Sequence, residues 1–185
     1  MDETLKKQLE ITACKVRLGI LEGVFNAKSG HPGGSLSIAD LLTYLYFAKM
    51  NVYPDKPEEP ERDRLVLSKG HTAPALYATL AEKGFFPKDE LKSLRHIGAM
   101  LQGHPCISIP GVDMSSGSLG QGISVACGMA LSGKLTSDTY KVYTSLGTVR
   151  SKRVRYGRLQ CLPLIISLIT SLLLWIITDF RSTER

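Results

Sequence analysis

The sequence is short of the features that mark several large classes of protein. Its four cysteines, Cys14, Cys106, Cys127 and Cys161, are scattered with no CxxC pair. None stands at metal-ligand spacing from its four histidines, His31, His71, His96 and His104. Neither a disulfide framework nor a zinc site is expected. The opening Met1-Asp2-Glu3 is acidic where a secretory leader would be basic, so reduced thiols in the cytoplasm are the natural reading. Seventeen glycines and nine prolines in 185 residues are ordinary numbers and exclude collagen-like or wholly disordered chains.

An excess of one charge is also missing over most of the length. The formal net charge of +6 divides unevenly, with +5 carried by residues 148–185 and only +1 by residues 1–147. The body therefore carries no electrostatic signature of a nucleic-acid or anionic-membrane partner.

What is present alternates helix-period and strand-like segments. Leu5, Leu9, Ile11, Val16, Ile20, Leu21 and Val24 recur roughly every three or four places, predicting a helix over 3–27 that Ser29-Gly30-His31-Pro32-Gly33-Gly34 ends. A second helix is expected over 37–50 with Ser37 as N-cap, then a charged, proline-rich surface loop over 52–63. Leu65-Val66-Leu67-Ser68 reads as a short buried strand, followed by helices at 72–83 and 87–95. Residues 98–118 form a long irregular stretch, 119–131 a helix rich in small residues, and 140–146 a second strand. This order predicts an α/β fold, a parallel sheet flanked by helices.

Three loops share one design, a histidine beside glycine at the edge of a regular element: Gly30-His31-Pro32-Gly33-Gly34, Lys69-Gly70-His71 and Gly103-His104-Pro105. Glycine admits close approach of a ligand to backbone, and histidine exchanges protons and hydrogen bonds near neutral pH. One such loop would more simply be a capped turn; three of the four histidines in this setting favour a site. A fourth loop, Gly117-Ser118-Leu119-Gly120-Gln121-Gly122, opens a helix in the manner of phosphate- or ring-binding loops, a weak signal by itself. Asp113 and His96 suggest surface or structural duty, and Cys106 and Cys127 small packing residues.

The segments SGHPGGSLSIADLL, RLVLSKGHTAPALYA, MLQGHP and MSSGSLGQGISVACGMAL, in this order, resemble the N-terminal thiamine-diphosphate module of transketolase. They are most similar to the separately encoded N-terminal subunit found in some prokaryotes. The resemblance covers roughly residues 5–147. It implies a thiamine-diphosphate-binding fold and transfer of a two-carbon ketol unit between sugar phosphates, with thiamine diphosphate and Mg2+ as cofactors. The partners it implies are a transketolase C-terminal subunit, together with further copies of the complete enzyme. Carried over to this chain, His31, His71 and His104 resemble the catalytic histidines, with His31 and His104 facing substrate. His71, Gly117 and Leu119 match positions lining the thiamine pocket, and Ser118 stands where many relatives have proline.

The resemblance stops at Gly147. The family continues with Gly-Asp-Gly-Glu and later Asn-Asn, whose aspartate and asparagine hold the metal that bridges the diphosphate. Here Thr148-Val149-Arg150 follow, and no metal ligand is carried over. Read one base over, with synonymous codons allowed, Thr148 to Arg153 become Asp-Gly-Glu-Ile-Gln-Glu and Ile176 to Asp179 become Asp-Asn-Asn-Gly. Residues 148–185 are therefore expected to be a frameshifted tail on a partial module spanning 1–147. This chain, without the metal motif, is expected to lack transketolase activity. Two rival readings exist, a membrane-tailed protein and a non-catalytic binding subunit. Leu162 to Ile177 is a run of 16 uncharged residues preceded by Arg153, Arg155 and Arg158. It includes Pro163, Ser167, Thr170 and Ser171, and a membrane-spanning helix needs about 17–25 apolar residues, so an anchor is disfavoured.

Overall fold

Apolar side chains at helical spacing give the first element its buried stripe. In the computed structural model, which describes residues 2–146 and the backbone of 172–176, helix α1 runs Glu3–Ala27 and buries Ala13, Val16, Ile20 and Gly23. It stops one residue before the predicted loop, because Lys28 turns left-handed (φ 48°) and returns its N–H to the Phe25 carbonyl at 3.2 Å.

The loop after it departs from expectation. Pro32-Gly33-Gly34 does not merely end a helix; it opens a short one, α2 (Pro32–Leu36), with the proline in the first turn, where its missing N–H costs nothing. Ser37 consequently closes α2 instead of capping the next helix, and α3 covers only Ala39–Tyr44 before a π-helical turn over Leu45–Lys49. The 52–63 loop is as expected except at its end, where Asp63 is buried. Asp63 accepts hydrogen bonds from the N–H groups of Asn51 (2.9 Å) and Lys141 (2.7 Å).

Strand β1 (Arg64–Leu67) is followed by a single 3-10 turn and helix α4 (Ala73–Lys83), which Gly84 terminates at φ 99°. The expected helix at 87–95 is a 3-10 helix over Lys88–Ser93. The small-residue helix, α5, starts and ends later than predicted, at Gly122–Thr136, because Ser118 to Gln121 form a turn first. Strand β2 (Val142–Leu146) pairs parallel to β1, and β3 (Leu172–Ile176) pairs parallel to β2, giving the order β1-β2-β3. The predicted parallel sheet flanked by helices is what the chain forms.

Strand alternation divides the core between two faces. Leu65, Leu67 and Tyr143 point into the larger cluster with Ile20 of α1, Leu42 of α3, Leu76 of α4 and Ile38 just before α3. Val66 and Val142 point the other way, onto Ala126 and Ala130 of α5. Each fully buried aliphatic side chain contributes about 1.5–3 kcal/mol. Glycine makes the close packing possible where backbones meet. A Cβ on Gly122 would lie 2.8 Å from the Ser68 Cα, so α5 seats directly on the end of β1.

The apolar tail run falls mostly outside the described residues. Its described part is strand β3, and no helix among the described residues is long and apolar enough to cross a membrane. The proposed frameshift point and the basic cluster after it also lie outside the described residues.

Candidate active site

Parallel strands align their carboxyl ends, and the loops leaving that edge converge. Lys69-Gly70-His71 leaves β1 there; α1 and α2 bring His31 to the same place, and the 98–118 stretch brings His104 and Gly117. The His31 and His71 rings meet edge to face, centroids 5.1 Å apart. A Cβ on Gly34 would stand 3.6 Å from His71 Nε2, and one on Gly117 would stand 3.5 Å from His104 Cδ2. The three predicted histidines thus share one site with Gly117. Leu119 sits half-buried on the turn before α5, next to Gly120, whose N–H reaches the Ser68 carbonyl at 3.1 Å. His31 and His104 are exposed and His71 half-buried, so the site opens outward from the sheet edge.

Electrostatics sorts these groups. Partial burial lowers the His71 pKa, and His31, Lys69 and His104 nearby push it the same way, so the ring is neutral at physiological pH. It then offers one donor and one acceptor instead of a fixed charge. Burial also lowers the Lys69 ammonium to about 8.

Three further residues hold the site together, and one of them, Tyr77, carries no signal in the sequence. The buried Tyr77 hydroxyl, on α4, donates to the His104 carbonyl at 2.8 Å and so ties the loop of the third histidine to the helix that follows the second. Gly70 lies against the same loop: a Cβ there would come within 2.6 Å of the Ser116 carbonyl oxygen. Asp113 anchors the loop's far end. Its Oδ2 accepts the Leu65 N–H at 2.7 Å and its Oδ1 pairs with the Arg62 guanidinium. Burial raises the Asp113 pKa, with Arg62 opposing. The structural duty expected of Asp113 is this clamp. His96 is exposed, as a surface role requires. Cys127 is half-buried against the α5 cluster. Cys106 is a correction: it is exposed instead of packed, and its Sγ accepts the Ser108 hydroxyl at 3.2 Å.

An orphan hydroxyl tests whether this edge suits a bound cofactor. Ser116 directly precedes Gly117, and among the described residues its buried Oγ has no hydrogen-bond partner. A buried hydroxyl without a partner costs about 1–3 kcal/mol. One beside Gly117 and the His104 ring fits a polar ligand there. A metal is another matter: among the described residues no group of three His, Cys, Asp or Glu side chains is placed to hold one.

Comparison with known proteins bears on the fold that carries this site. Residues 9–146 match the family model "Transketolase, thiamine diphosphate binding domain". The chain is 47% identical over 139 residues to one subunit of the apulose-4-phosphate transketolase of Phocaeicola vulgatus, covering 75% of this chain and 50% of that one. It is 42% identical over 147 residues to human transketolase, covering 79% of this chain and 24% of the human protein. Among solved structures, a transketolase variant from Pichia stipitis superposes with a TM-score of 0.84 at 28% identity, over 91% of this chain and 26% of that one. Transketolase from Campylobacter jejuni superposes with a TM-score of 0.79 at 29% identity, over 97% of this chain and 29% of that one. The chain spans about half the length of the Phocaeicola relative and about a quarter of the full-length enzymes. With the family's thiamine-diphosphate-binding domain matched from strand β2 back into α1, the chain belongs to the transketolase family.

Proposed function

We propose that this edge of the sheet is one half of a transketolase active site, built to transfer a two-carbon ketol unit from a ketose phosphate to an aldose phosphate. The observation that carries the reading is the convergence of His31, His71 and His104 with Gly34, Gly70 and Gly117 beyond the carboxyl ends of β1 and β2. Thiamine diphosphate, when bound, supplies the electron sink for carbon–carbon cleavage. His31 and His104, exposed at the rim, hydrogen-bond the sugar hydroxyls and orient the scissile bond. His71, kept neutral, donates to the donor carbonyl without bringing a competing charge. Gly117 and Leu119 line the thiamine ring, and the Ser116 hydroxyl beside Gly117 offers a donor to a polar group of the cofactor.

The open rim supports a second module as the other wall of the site, a transketolase C-terminal subunit in an assembly of several copies, working in the cytoplasm. A divalent metal such as Mg2+ would neutralise the charge of the cofactor's diphosphate, and by the family resemblance the residues that would hold it belong to the stretch that Thr148 onward replaces. The shifted reading puts an aspartate at position 148 and an asparagine at position 178, both outside the described residues. The return of the family's Asp-Gly-Glu and Asn-Asn in one shifted frame supports the view that residues 148–185 are the family sequence out of frame and that the chain as written is inactive.

Isothermal titration with thiamine diphosphate and Mg2+ tests the proposal. The chain as written is expected to release no heat of binding, and the chain with the frame restored after Gly147 to bind at micromolar concentration. Micromolar binding by the chain as written overturns the frame argument. No binding by the restored chain together with its C-terminal partner overturns the site. The nucleotide sequence around codons 147 and 148 checks the slip directly.

A further inference from the structure

One side chain outside the three imidazoles touches two of the histidine loops at once. Arg95 donates from Nη1 to the hydroxyl of Ser29, two residues before His31. The rest of its guanidinium lies against Gly103, directly before His104. A Cβ on Gly103 would stand 2.6 Å from Nη2 and 2.8 Å from Nε of Arg95. Only a flat, forked cation can press a face on one backbone while an edge donates to another loop; an ammonium on a flexible stem cannot do both. No carboxylate among the described residues pairs with it.

The backbone beneath Arg95 makes the choice of residue informative. Ser93 to His96 form a turn closed by the His96 N–H on the Ser93 carbonyl at 3.0 Å, with Leu94 at φ −47°, ψ 126° and Arg95 at φ 64°. That is a type II turn, whose third position favours glycine. Leu94 is buried against α1, near Gly23, and Arg95 N–H reaches the Leu101 carbonyl at 2.8 Å, so the turn is firmly seated. An arginine held left-handed at a glycine position points to a contribution from its side chain.

We propose that Arg95 is a positioning residue that holds the His31 loop and the His104 loop at a fixed separation. Its catalytic meaning rests on the reading of those loops as substrate-facing; the positioning itself is measurable without turnover. The test is proton–carbon NMR on the 185-residue chain with labelled histidine, comparing wild type with Arg95→Gly, Arg95→Lys and Gly103→Ala. Arg95→Gly relaxes the left-handed turn, so its thermal midpoint is expected to stay level or rise. Its ring cross-peak between His31 and His71 is nevertheless expected to be lost and the His104 ring signals to shift. Gly103→Ala, which crowds the guanidinium from its seat, is expected to reproduce both changes, and Arg95→Lys to leave them unrescued. Unaltered histidine signals in Arg95→Gly overturn the proposal, as does a lowered midpoint accompanying the change, which would mark Arg95 as ordinary framework. Lost cross-peaks in a chain whose restored form binds no cofactor would leave the positioning intact and fell only the functional reading.

Discussion

At the scale of single residues, the site runs on groups whose ionisation is moved by burial. Lys69 is the clearest. Its folded-state pKa of about 8 lies below the ordinary value of 10.5. Below pH 8 the folded and unfolded chains both hold the proton, and the folded chain carries the cost of a buried charge. Between about 8 and 10.5 only the unfolded chain is charged, so stability climbs with pH across that interval. Lys69→Met is expected to flatten the climb, read as denaturant midpoints against pH. Lys83, also lowered by burial, contributes with the same sign, so the difference between variant and wild type is the quantity to compare. A slope identical in both would show that Lys69 does not feel its burial. His71 has the same sign at lower pH: its lowered pKa makes charging unfavourable as the solution turns acid.

At the scale of elements, short-range signals found the helices and strands but misplaced several ends. The 3.6-residue stripe of α1 and the apolar run of β1 were plain because each rests on local periodicity. Ser37 looked like an N-cap, yet the preceding Pro32-Gly33-Gly34 had already made a turn of helix that Ser37 finishes, its hydroxyl donating back to the Gly34 carbonyl at 2.8 Å. The 88–93 segment has helix-start chemistry in Pro87, Asp89 and Glu90 but is drawn into the tighter 3-10 form, packed on α1 through Leu91 and Leu94. Glycines tell a similar story. Gly70 looked like a ligand-approach glycine; the structure shows that the backbone it admits is the protein's own, at Ser116 and Gly117. Gly70→Ala must push the 98–118 loop off the strand edge, and about 1–3 kcal/mol of destabilisation is expected. Limited proteolysis would show faster cleavage within 98–118. A loop as resistant as wild type would mean that the segment gives way without cost.

At the scale of the whole molecule, the loop carrying His104 and Gly117 is pinned at the opposite end of the sheet by Asp113 and Arg62. The pair is nearly enclosed, with side-chain exposures of 3% and 13%. Breaking it strands a charge in a poor solvent for charge. Asp113→Asn is expected to cost about 3 kcal/mol, measured by chemical unfolding. Lys92→Ala provides the contrast: its pair with Asp89 lies in water at the surface, and no change in midpoint is expected. Equal effects of the two substitutions would refute the clamp.

The sequence by itself determined the class of fold and the three histidine loops, since hydrophobic period, glycine and proline act within a few residues of where they stand. It also showed where the family pattern breaks at Gly147. Only the tertiary structure decided that His31 and His71 meet edge to face, that Tyr77 holds the His104 carbonyl, and that Arg95 spans two loops from a glycine-type turn. Ser29 and Arg95 are 66 positions apart, and Leu65 and Asp113 are 48 apart. A contact across such intervals depends on how the sheet, its helices and its loops close on one another, and it leaves no periodic trace along the chain.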